Sequence, residues 1–349
     1  MPALWITEQD VAAQLRISDA VPELAAAFRS LAGGAARTLP KSHLAWPFGA
    51  QPLPLATLHS ISGVLLDRSI AGTKTWVNTP RGSCPVVILF DTRDGSLLAV
   101  LEAFVLGQVR TAAVSALATD LLAPSAVRTM VIVGTGRQAL PQVAAVAAVR
   151  SSLERVIAVG RDPDRARAFA ERAGAALDLD VVVGTSVADA VADAQVVTLA
   201  TRATSAVLPT DCVHEGLHIN AIGAITPERA EFEPSLADRC RVVAVDSVAQ
   251  ARELSQELRA AFGADEDAWA RVRELGSLLA DSGGESGGAG PTLFKALGIG
   301  LADTALAALA YARVSNAGAG TPLPASTGEA DVVAPFLTKL SGGEHVAAR

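Results

Sequence analysis

Residues 131–139 read VIVGTGRQA, a hydrophobic run that leads through two glycines into an Ala/Val-rich segment. This is the G-x-G-x-x-G/A pattern of a strand–turn–helix unit, in which Gly134 permits the tight turn, Gly136 admits a pyrophosphate, and Ala139 allows close helix packing. The free N–H groups and the positive end of the helix dipole then face the phosphates. The alternative is a strand–helix turn that binds no ligand. We predict that a dinucleotide is bound by Gly134, Gly136, Arg137, Gln138 and Ala139.

The segments around the glycines support this interpretation. A β-rich run, RTMVIV, precedes them at residues 128–133, and a second run, RVIAV, follows a helix-length segment at residues 155–159. Short apolar runs continue to alternate with helical segments up to about residue 279. This alternation is typical of a doubly wound parallel sheet. We therefore predict an α/β protein with a central Rossmann domain at residues 123–296.

The region before the glycine motif has a different pattern. Residues 7–33 predict an amphipathic helix with Thr7 as its N-cap, and residues 104–122 predict a second helix. The dipeptide Asp94-Gly95 predicts a hairpin between two strands. Between the helices lie four strand-like runs, at residues 54–61, 72–79, 85–91 and 96–101.

The region after the Rossmann domain predicts one more helix. Residues 281–290 are rich in Gly and Ser and form either a lid or a solvated loop, and residues 292–314 predict the helix. From residue 315 the chain is rich in Gly, Pro and Ala, which predicts partial disorder. We expect the helix to pack on the N-terminal region, so that residues 1–122 and 297–349 form one discontinuous domain.

The composition indicates which classes of partner the protein has and in which cellular compartment it is found. The 349 residues carry a net charge of −7 from 36 acidic and 29 basic side chains, with no basic block, so we expect no nucleic-acid partner. The N-terminus lacks the basic residues of a signal peptide and the chain has no long apolar run, so we expect no membrane partner. The scattered Cys84, Cys212 and Cys240 favour a reducing compartment, and we predict a cytoplasmic protein. We expect no metal site, since the five histidines lack ligand spacing, and Gly216 separates His214 from His218.

Several separated segments together resemble the ornithine cyclodeaminase/μ-crystallin family. They are GTKTWVNTP, LFDTRDGSLLAVLEA, QVRTAAVSALATDLLA, VIVGTGRQA, HINAIGAITPERAEFEP and TLFKALGIGLAD, and they span residues 39–311. The resemblance implies a homodimer in which the discontinuous α/β domain binds substrate and makes the dimer contact. Its members include ornithine and lysine cyclodeaminases, archaeal-type alanine dehydrogenases and NAD(P)H-dependent ketimine reductases.

Lys74 is the first candidate catalytic residue. It lies in a β-like run between two threonines, and the resemblance matches it to the lysine that binds the substrate carboxylate or transfers a proton. A lysine beside a second cation and an apolar wall has a lowered pKa that suits this chemistry. The alternative is a lysine on an edge strand that discourages aggregation.

Arg110 and Lys41 are the other candidate substrate ligands. A guanidinium in an apolar, small-residue helix needs an anion, and the resemblance places Arg110 and the following Thr111 beside substrate and nicotinamide. The alternative is that Arg110 pairs with a nearby carboxylate of the protein, such as Glu102. Lys41 stands where the family commonly has an arginine that grips the carboxylate, and Ser42 is the competing assignment.

Ile225 bears on the reaction type. In cyclodeaminases the corresponding stretch contains an aspartate that activates water or the amine, whereas residues 220–227 here read NAIGAITP. An aliphatic side chain cannot transfer a proton, and neither Thr226 nor Glu228 occupies the matching position. The departure disfavours cyclodeamination and favours simple reduction of an imine.

The end of the second Rossmann strand predicts the dinucleotide. An NAD enzyme usually has an acidic residue about 20 residues past the glycine motif. Here Gly160 is followed by Arg161, with Arg165 four residues on, which suits a 2′-phosphate and predicts a preference for NADP(H). Asp162 keeps NAD(H) possible, because a shift of one residue would bring its carboxylate to the ribose.

Further contacts are predicted near the nicotinamide and the substrate. We predict no chemical role for Asp303. Trp76 is predicted either to narrow the substrate pocket or to pack in the core. The nicotinamide end is predicted to contact Thr201, Ile222, Gly223 and Thr292.

Together these residues predict NAD(P)H-dependent reduction of a small imino acid, a ketimine or a cyclic imine carboxylate, to an amino acid, or the reverse dehydrogenation. The partner is then a small carboxylated amine or imine. Two alternatives stay open, namely an ornithine or lysine cyclodeaminase that uses NAD catalytically, and a non-catalytic protein that binds a small ligand together with NADPH.

Overall fold

The computed structural model describes residues 2–49, 55–281 and 288–324, and these residues form two sheets. The first sheet has the order β17-β1-β8-β7-β5-β4-β2, with β3 paired to β4 and β6 to β5. Its strands are β1 Leu4–Ile6, β2 Ala36–Thr38, β3 Ser42–Pro47, β4 Leu55–Leu65, β5 Ile70–Thr79, β6 Gly82–Ser83, β7 Val86–Asp91, β8 Leu97–Glu102 and β17 Thr321–Pro322.

The second sheet is parallel throughout and has the order β11-β10-β9-β12-β13-β16-β14-β15. Its strands are β9 Thr129–Val133, β10 Arg155–Val159, β11 Asp180–Val183, β12 Val196–Leu199, β13 His218–Ala221, β14 Val242–Val245, β15 Val272–Glu274 and β16 Thr292–Lys295. The prediction of an α/β fold with a Rossmann sheet and a second α/β part is confirmed.

Helices cover both sheets. Four belong to the regions that flank the Rossmann sheet, α1 Glu8–Gln14, α2 Ile17–Ala32, α3 Phe104–Leu122 and α12 Gly300–Asn316. The others connect the parallel strands, α4 Ala139–Val149, α5 Pro163–Leu177, α6 Val187–Val191, α7 Leu236–Arg239, α8 Val248–Leu254, α9 Gln256–Phe262, α10 Glu266–Ala270 and α11 Leu275–Ala280. No helix among the described residues is long and apolar enough to cross a membrane.

Several local predictions are confirmed. Thr7 caps α1 in a capping box with Asp10, and Gly95 turns the β7–β8 hairpin at φ +76°. The predicted helix at residues 104–122 is α3 without any change of bounds. The single helix predicted for residues 7–33 is divided, because Leu15 and Arg16 have extended backbones that separate α1 from α2.

The helix predicted for residues 292–314 is partly wrong. Residues 292–295 form β16, which lies between β13 and β14, and the helix begins only at Gly300. A four-residue run that is buried on both faces of a parallel sheet has no alternating pattern that separates it from a buried helix. The predicted boundary at residues 296/297 falls between β16 and α12, and the domain limits stay a prediction. The predicted loop falls mainly on residues 282–287 and most of the predicted disordered tail on residues 325–349, outside the described residues.

The helix α12 lies directly against the first sheet. A Cβ atom on Gly63 of β4 would lie 2.5 Å from the Cα atom of Leu301, so only glycine permits this approach. The α3 helix packs against α2, α4 and α12 and also contacts β13 and β16 of the second sheet. A single apolar cluster therefore extends from the first sheet across these helices to one face of the second sheet, and it holds the two sheets together.

Candidate active site

A buried carboxylate joins the two predicted catalytic cations. Asp303 of α12 accepts a hydrogen bond from Lys74 Nζ of β5 at 2.9 Å, and its other oxygen lies 3.1 Å from Arg110 Nε of α3. Lys74 is 8% exposed and Asp303 is 1% exposed, so this ion pair is shielded from water. Three elements that are distant in sequence thus converge on one point. Arg110 does pair with a nearby carboxylate, but this is Asp303 and not Glu102, which accepts from the N–H of Glu8 at 2.8 Å.

Small residues make room for this cluster. A Cβ atom on Gly107 of α3 would lie 2.8 Å from Lys74 Nζ, so the absence of a side chain there leaves space for the ammonium. On the other side, the position of a Cβ atom on Gly298 lies 3.2 Å from Arg110 Nη1. The cations therefore lie between the second turn of α3 and the segment that follows β16.

The cluster shifts the protonation of its members. Burial lowers the pKa of Lys74, and the charge of Arg110 lowers it further, whereas Asp303 opposes both. Burial acts to raise the pKa of Asp303, but the charges of Arg110 and Lys74 outweigh it and hold that pKa below its ordinary value. Asp303 is thus ionised, and Lys74 is an ammonium that releases its proton more easily than a lysine in water.

Lys41 lies in the same electrostatic environment. Burial lowers its pKa, the neighbouring charge of Arg110 adds to this, and the carboxylates of Asp246 and Asp303 oppose it. Ser42, the competing assignment, donates to the carbonyl of Ser60 at 3.4 Å. Lys41 is thus close enough to Arg110 and to the two carboxylates to be influenced by their charges, and its role as a substrate ligand stays a prediction.

Two acidic residues of the site were missed by the sequence analysis. Asp303 was given no role, although it is the only charged residue between Lys295 and Arg313, which is an informative pattern in an apolar helix. Asp246, which follows β14, is also buried and accepts from the N–H groups of Leu297 and Gly298. It fixes the segment beside Arg110.

An aromatic row borders the cations. The Lys74 ammonium lies 5.4 Å from the centre of the Trp76 ring, and that ring stacks on His59 at 4.8 Å, with His43 next at 6.0 Å. The three residues are cross-strand neighbours on β3, β4 and β5. Trp76 therefore lines the site and is not a core residue.

The predicted dinucleotide residues surround a groove of about 930 Å³ at the carboxyl ends of β9, β10 and β12. Gly134 has φ +99°, and a Cβ atom there would lie 2.6 Å from the carbonyl oxygen of Ala200. Ala139 is fully buried as the first residue of α4, as its place in the motif requires. Arg137 is exposed, with its guanidinium 5.0 Å from the Phe104 ring. The predicted residues that line the groove are Gly134, Gly136, Gly160, Arg161, Asp162, Arg165 and Thr201.

Three charged residues that follow β10, Arg161, Asp162 and Arg165, are predicted to contact the dinucleotide, and their surroundings differ. Asp162 is the N-cap of α5, and its carboxylate accepts from the N–H groups of Asp164 and Arg165 at 3.0 and 3.2 Å. Both hydrogen bonds are accepted by one oxygen, Oδ1, which is thereby engaged with the helix. Across the described ranges, neither Arg161 nor Arg165 forms an ion pair.

The other predicted cofactor contacts lie outside the lining of this groove. Thr292 is wrong as a cofactor contact, because it begins β16 at the amino end of the parallel strands, where its hydroxyl bonds His218 at 2.9 Å. Ile222 packs in the apolar cluster between the sheets, and Thr111 donates to the Gly107 carbonyl of its own helix. Gln138 precedes α4. Within the described residues, no three His, Cys, Asp or Glu side chains are grouped as metal ligands.

Comparisons with known proteins agree with this geometry. The model of the ornithine cyclodeaminase/mu-crystallin family matches residues 3–318. Delta(1)-pyrroline-2-carboxylate reductase from Bacillus cereus is 30% identical over 237 residues, which cover 67% of this chain and 72% of that protein. Ketimine reductase mu-crystallin from Mus musculus is 37% identical over 231 residues, which cover 64% and 68% respectively.

A solved structure shows the same fold. The crystal structure of the iminosuccinate reductase of Paracoccus denitrificans in complex with NAD+ has a TM-score of 0.85 and 26% identity, and the match covers 93% of this chain and 100% of that one. The resemblance found in the sequence is thereby confirmed. The chain belongs to the ornithine cyclodeaminase/mu-crystallin family.

Proposed function

We propose that this protein reduces a small imino acid, a ketimine or a cyclic imine carboxylate, to the amino acid, or catalyses the reverse dehydrogenation. The observation that carries the proposal is the buried cluster of Lys74, Arg110 and Asp303 beside a dinucleotide groove. The relatives named as pyrroline-carboxylate and ketimine reductases support it.

Each side chain then has a defined task. Arg110 uses Nε for Asp303, and its Nη1 and Nη2 face a substrate carboxylate, with Lys41 as the second cation. The Lys74 ammonium donates a proton to the imine nitrogen, and Asp303 keeps that ammonium charged and oriented. A reduced nicotinamide dinucleotide, when bound, supplies the hydride. Exclusion of water by the buried cluster strengthens each of these contacts.

The groove fits that dinucleotide. The backbone of the glycine turn would hold the pyrophosphate, because Gly134 turns the chain at φ +99° and Gly136 has open space where a side chain would stand. We assign the remaining contacts to Arg137, Gln138 and Ala139 at the start of α4 and to Gly160, Arg161, Asp162, Arg165, Thr201 and Gly223 at the strand ends.

We propose that NADP(H) is preferred over NAD(H). Replacing both Arg161 and Arg165 by alanine is expected to raise the Kd for NADPH about tenfold or more, because the 2′-phosphate loses its charged partners. The Kd for NADH should stay within about twofold, since NADH lacks that phosphate. Titration calorimetry measures both constants. Arg167→Ala is the matched control, because Arg167 pairs with Asp164 on the same helix; an equal loss for both dinucleotides would contradict the preference.

We propose a homodimer formed through the outer face of the first sheet. Leu44, Leu58 and Val77 form a cross-strand row on β3, β4 and β5 and are 64%, 40% and 40% exposed. A contiguous apolar patch of this kind marks a contact surface. Leu58→Asp is expected to shift the protein to the monomer in analytical ultracentrifugation, whereas Leu66→Asp, at an exposed leucine outside the row, should not.

The cysteines bear on the compartment. Cys84, Cys212 and Cys240 are all free. Unpaired thiols suit a reducing environment, so we propose a cytoplasmic location.

The direct test is an assay with Δ1-pyrroline-2-carboxylate and Δ1-piperideine-2-carboxylate. We expect oxidation of NADPH with formation of the matching cyclic amino acid. Ammonia and proline formed from ornithine, without net change of the dinucleotide, would indicate the cyclodeaminase instead. That outcome is disfavoured because Ile225, in the loop after β13, has no group that transfers a proton. Tight ligand binding without turnover of any imine would indicate a binding protein.

A further inference from the structure

A buried carboxylate outside the substrate site joins the loops that follow two neighbouring strands. Glu231 is fully buried. One of its oxygens accepts from the N–H group and the hydroxyl of Thr201, after β12, at 2.6 and 2.9 Å. The other accepts from the N–H groups of Gly223 and Ala224, after β13, at 2.7 and 3.0 Å. One side chain thus receives four hydrogen bonds and spans both strand ends.

The two loops are in close contact at this point. A Cβ atom on Gly223 would lie 2.1 Å from the carbonyl oxygen of Thr201 and 2.6 Å from a carboxylate oxygen of Glu231. Any side chain at position 223 would therefore separate the loops. The contact depends on the carboxylate and on the glycine together.

Glu231 is itself fixed from behind. Its N–H group donates to Glu257 at 3.0 Å, and the same Glu257 oxygen accepts from Lys295 Nζ at 3.0 Å. Lys295 also donates to the Ala224 carbonyl at 2.6 Å. Since Glu257 and Lys295 are buried as well, the carboxylate has little freedom to move.

The position of these loops relates them to the nicotinamide. The strands β12 and β13 lie between β9, which leads to the Gly134 turn, and β16, which leads to Gly298 beside Arg110. Thr201 lines the groove there. A dinucleotide with its pyrophosphate at the glycine turn must pass these loops for its nicotinamide to reach a substrate held by Arg110.

We infer that Glu231 is a positioning residue for the nicotinamide end of the dinucleotide. Glu231 is fully buried and both of its carboxylate oxygens accept from the two loops, so it acts by holding Thr201 and Gly223 as one rigid wall of the groove. The inference rests on the proposed function, in that it takes the groove to bind a nicotinamide dinucleotide.

The test compares a whole dinucleotide with a fragment that lacks nicotinamide. Glu231→Gln replaces one carboxylate oxygen by an amide N–H₂ group, which cannot accept a hydrogen bond. The backbone N–H donors of one loop then lose their acceptor. We expect the Kd for NADPH to rise about tenfold, while the Kd for 2′-phospho-ADP-ribose stays within about twofold. Glu233→Gln is the matched control, because Glu233 accepts from Thr210 and lies outside the groove lining.

Two results would overturn the inference: unchanged affinity for both ligands, or an equal loss for both, which indicates a general structural role. Should Glu231→Gln fail to fold, Thr201→Val removes the hydroxyl that donates to Glu231 and accepts from the Ala203 N–H group, whereas Thr201→Ser keeps it. We expect Thr201→Val alone to weaken NADPH binding selectively, by about threefold. Equal effects on the two ligands in that variant would also overturn it. Because these are binding measurements, their outcome is separate from whether any imine is reduced.

Discussion

Replacing Lys74 by methionine is expected to lower kcat/KM for imine reduction about a thousandfold, while the Kd for NADPH changes little. Methionine keeps most of the volume of the side chain but has no proton to donate to the imine nitrogen, and loss of a general acid typically costs factors of this size. Steady-state kinetics with a cyclic imine and NADPH titrations measure the two quantities. Arg128→Met, which removes an exposed cation from a surface ion pair, is the control.

A second substitution separates the charge of Lys74 from its proton. In Lys74→Arg the positive charge stays beside Asp303, but a guanidinium does not give up its proton in this pH range. We expect KM to recover in part and kcat to stay low. A variant with arginine that turns over as fast as the native enzyme would refute the role of Lys74 as proton donor.

Asp303→Asn is expected to move the alkaline limb of the kcat/KM profile to lower pH and to reduce the maximum about a hundredfold. The direction follows from the site. Burial and Arg110 lower the pKa of Lys74, and Asp303 is the strongest of the groups that raise it. Without the carboxylate that pKa falls further, so the ammonium needed for reduction is lost at a lower pH.

The profile should be measured from about pH 6 to about pH 10, which spans the range below the ordinary pKa of lysine. Glu171→Gln, an exposed carboxylate on α5, controls for the change in net charge. The same variant should lose several degrees in Tm, because two buried cations are left without their counter-ion. An alkaline limb that stays in place would contradict the coupling between Asp303 and Lys74.

Local patterns predicted most of the fold. The glycine motif, the alternating strands and helices, and the Asp94-Gly95 turn each depend on neighbours in sequence, and α3 was predicted without error. The failure at β16 has the opposite cause. Its residues TLFK form a strand because β13 and β14 leave a place between them, and that place is set by residues far away in the chain.

Prediction of the site from local sequence was limited in the same way. Lys74 and Arg110 were found through motifs, but the residue that joins them was not, because Lys74 and Asp303 are 229 positions apart. Glu231 was missed for a similar reason, since its partners Thr201 and Gly223 are brought to it by the ends of separate strands. A lone acid in an apolar helix was the one local sign of Asp303.

Alternate residues of the strands β4 and β5 point to opposite faces of the first sheet, one toward the cations of the site and one outward. His59 and Trp76 face the cations, while their chain neighbours Leu58 and Val77 face outward. A slip of one residue in this pairing would exchange the two sets, and a slip of two would preserve them. The turn at Leu66–Arg68 joins the two strands and thereby sets this register, which begins with Leu65 opposite Ile70. A one-residue insertion that shifts β5 against β4 would turn Lys74 away from Asp303, so we expect it to lower the rate of imine reduction.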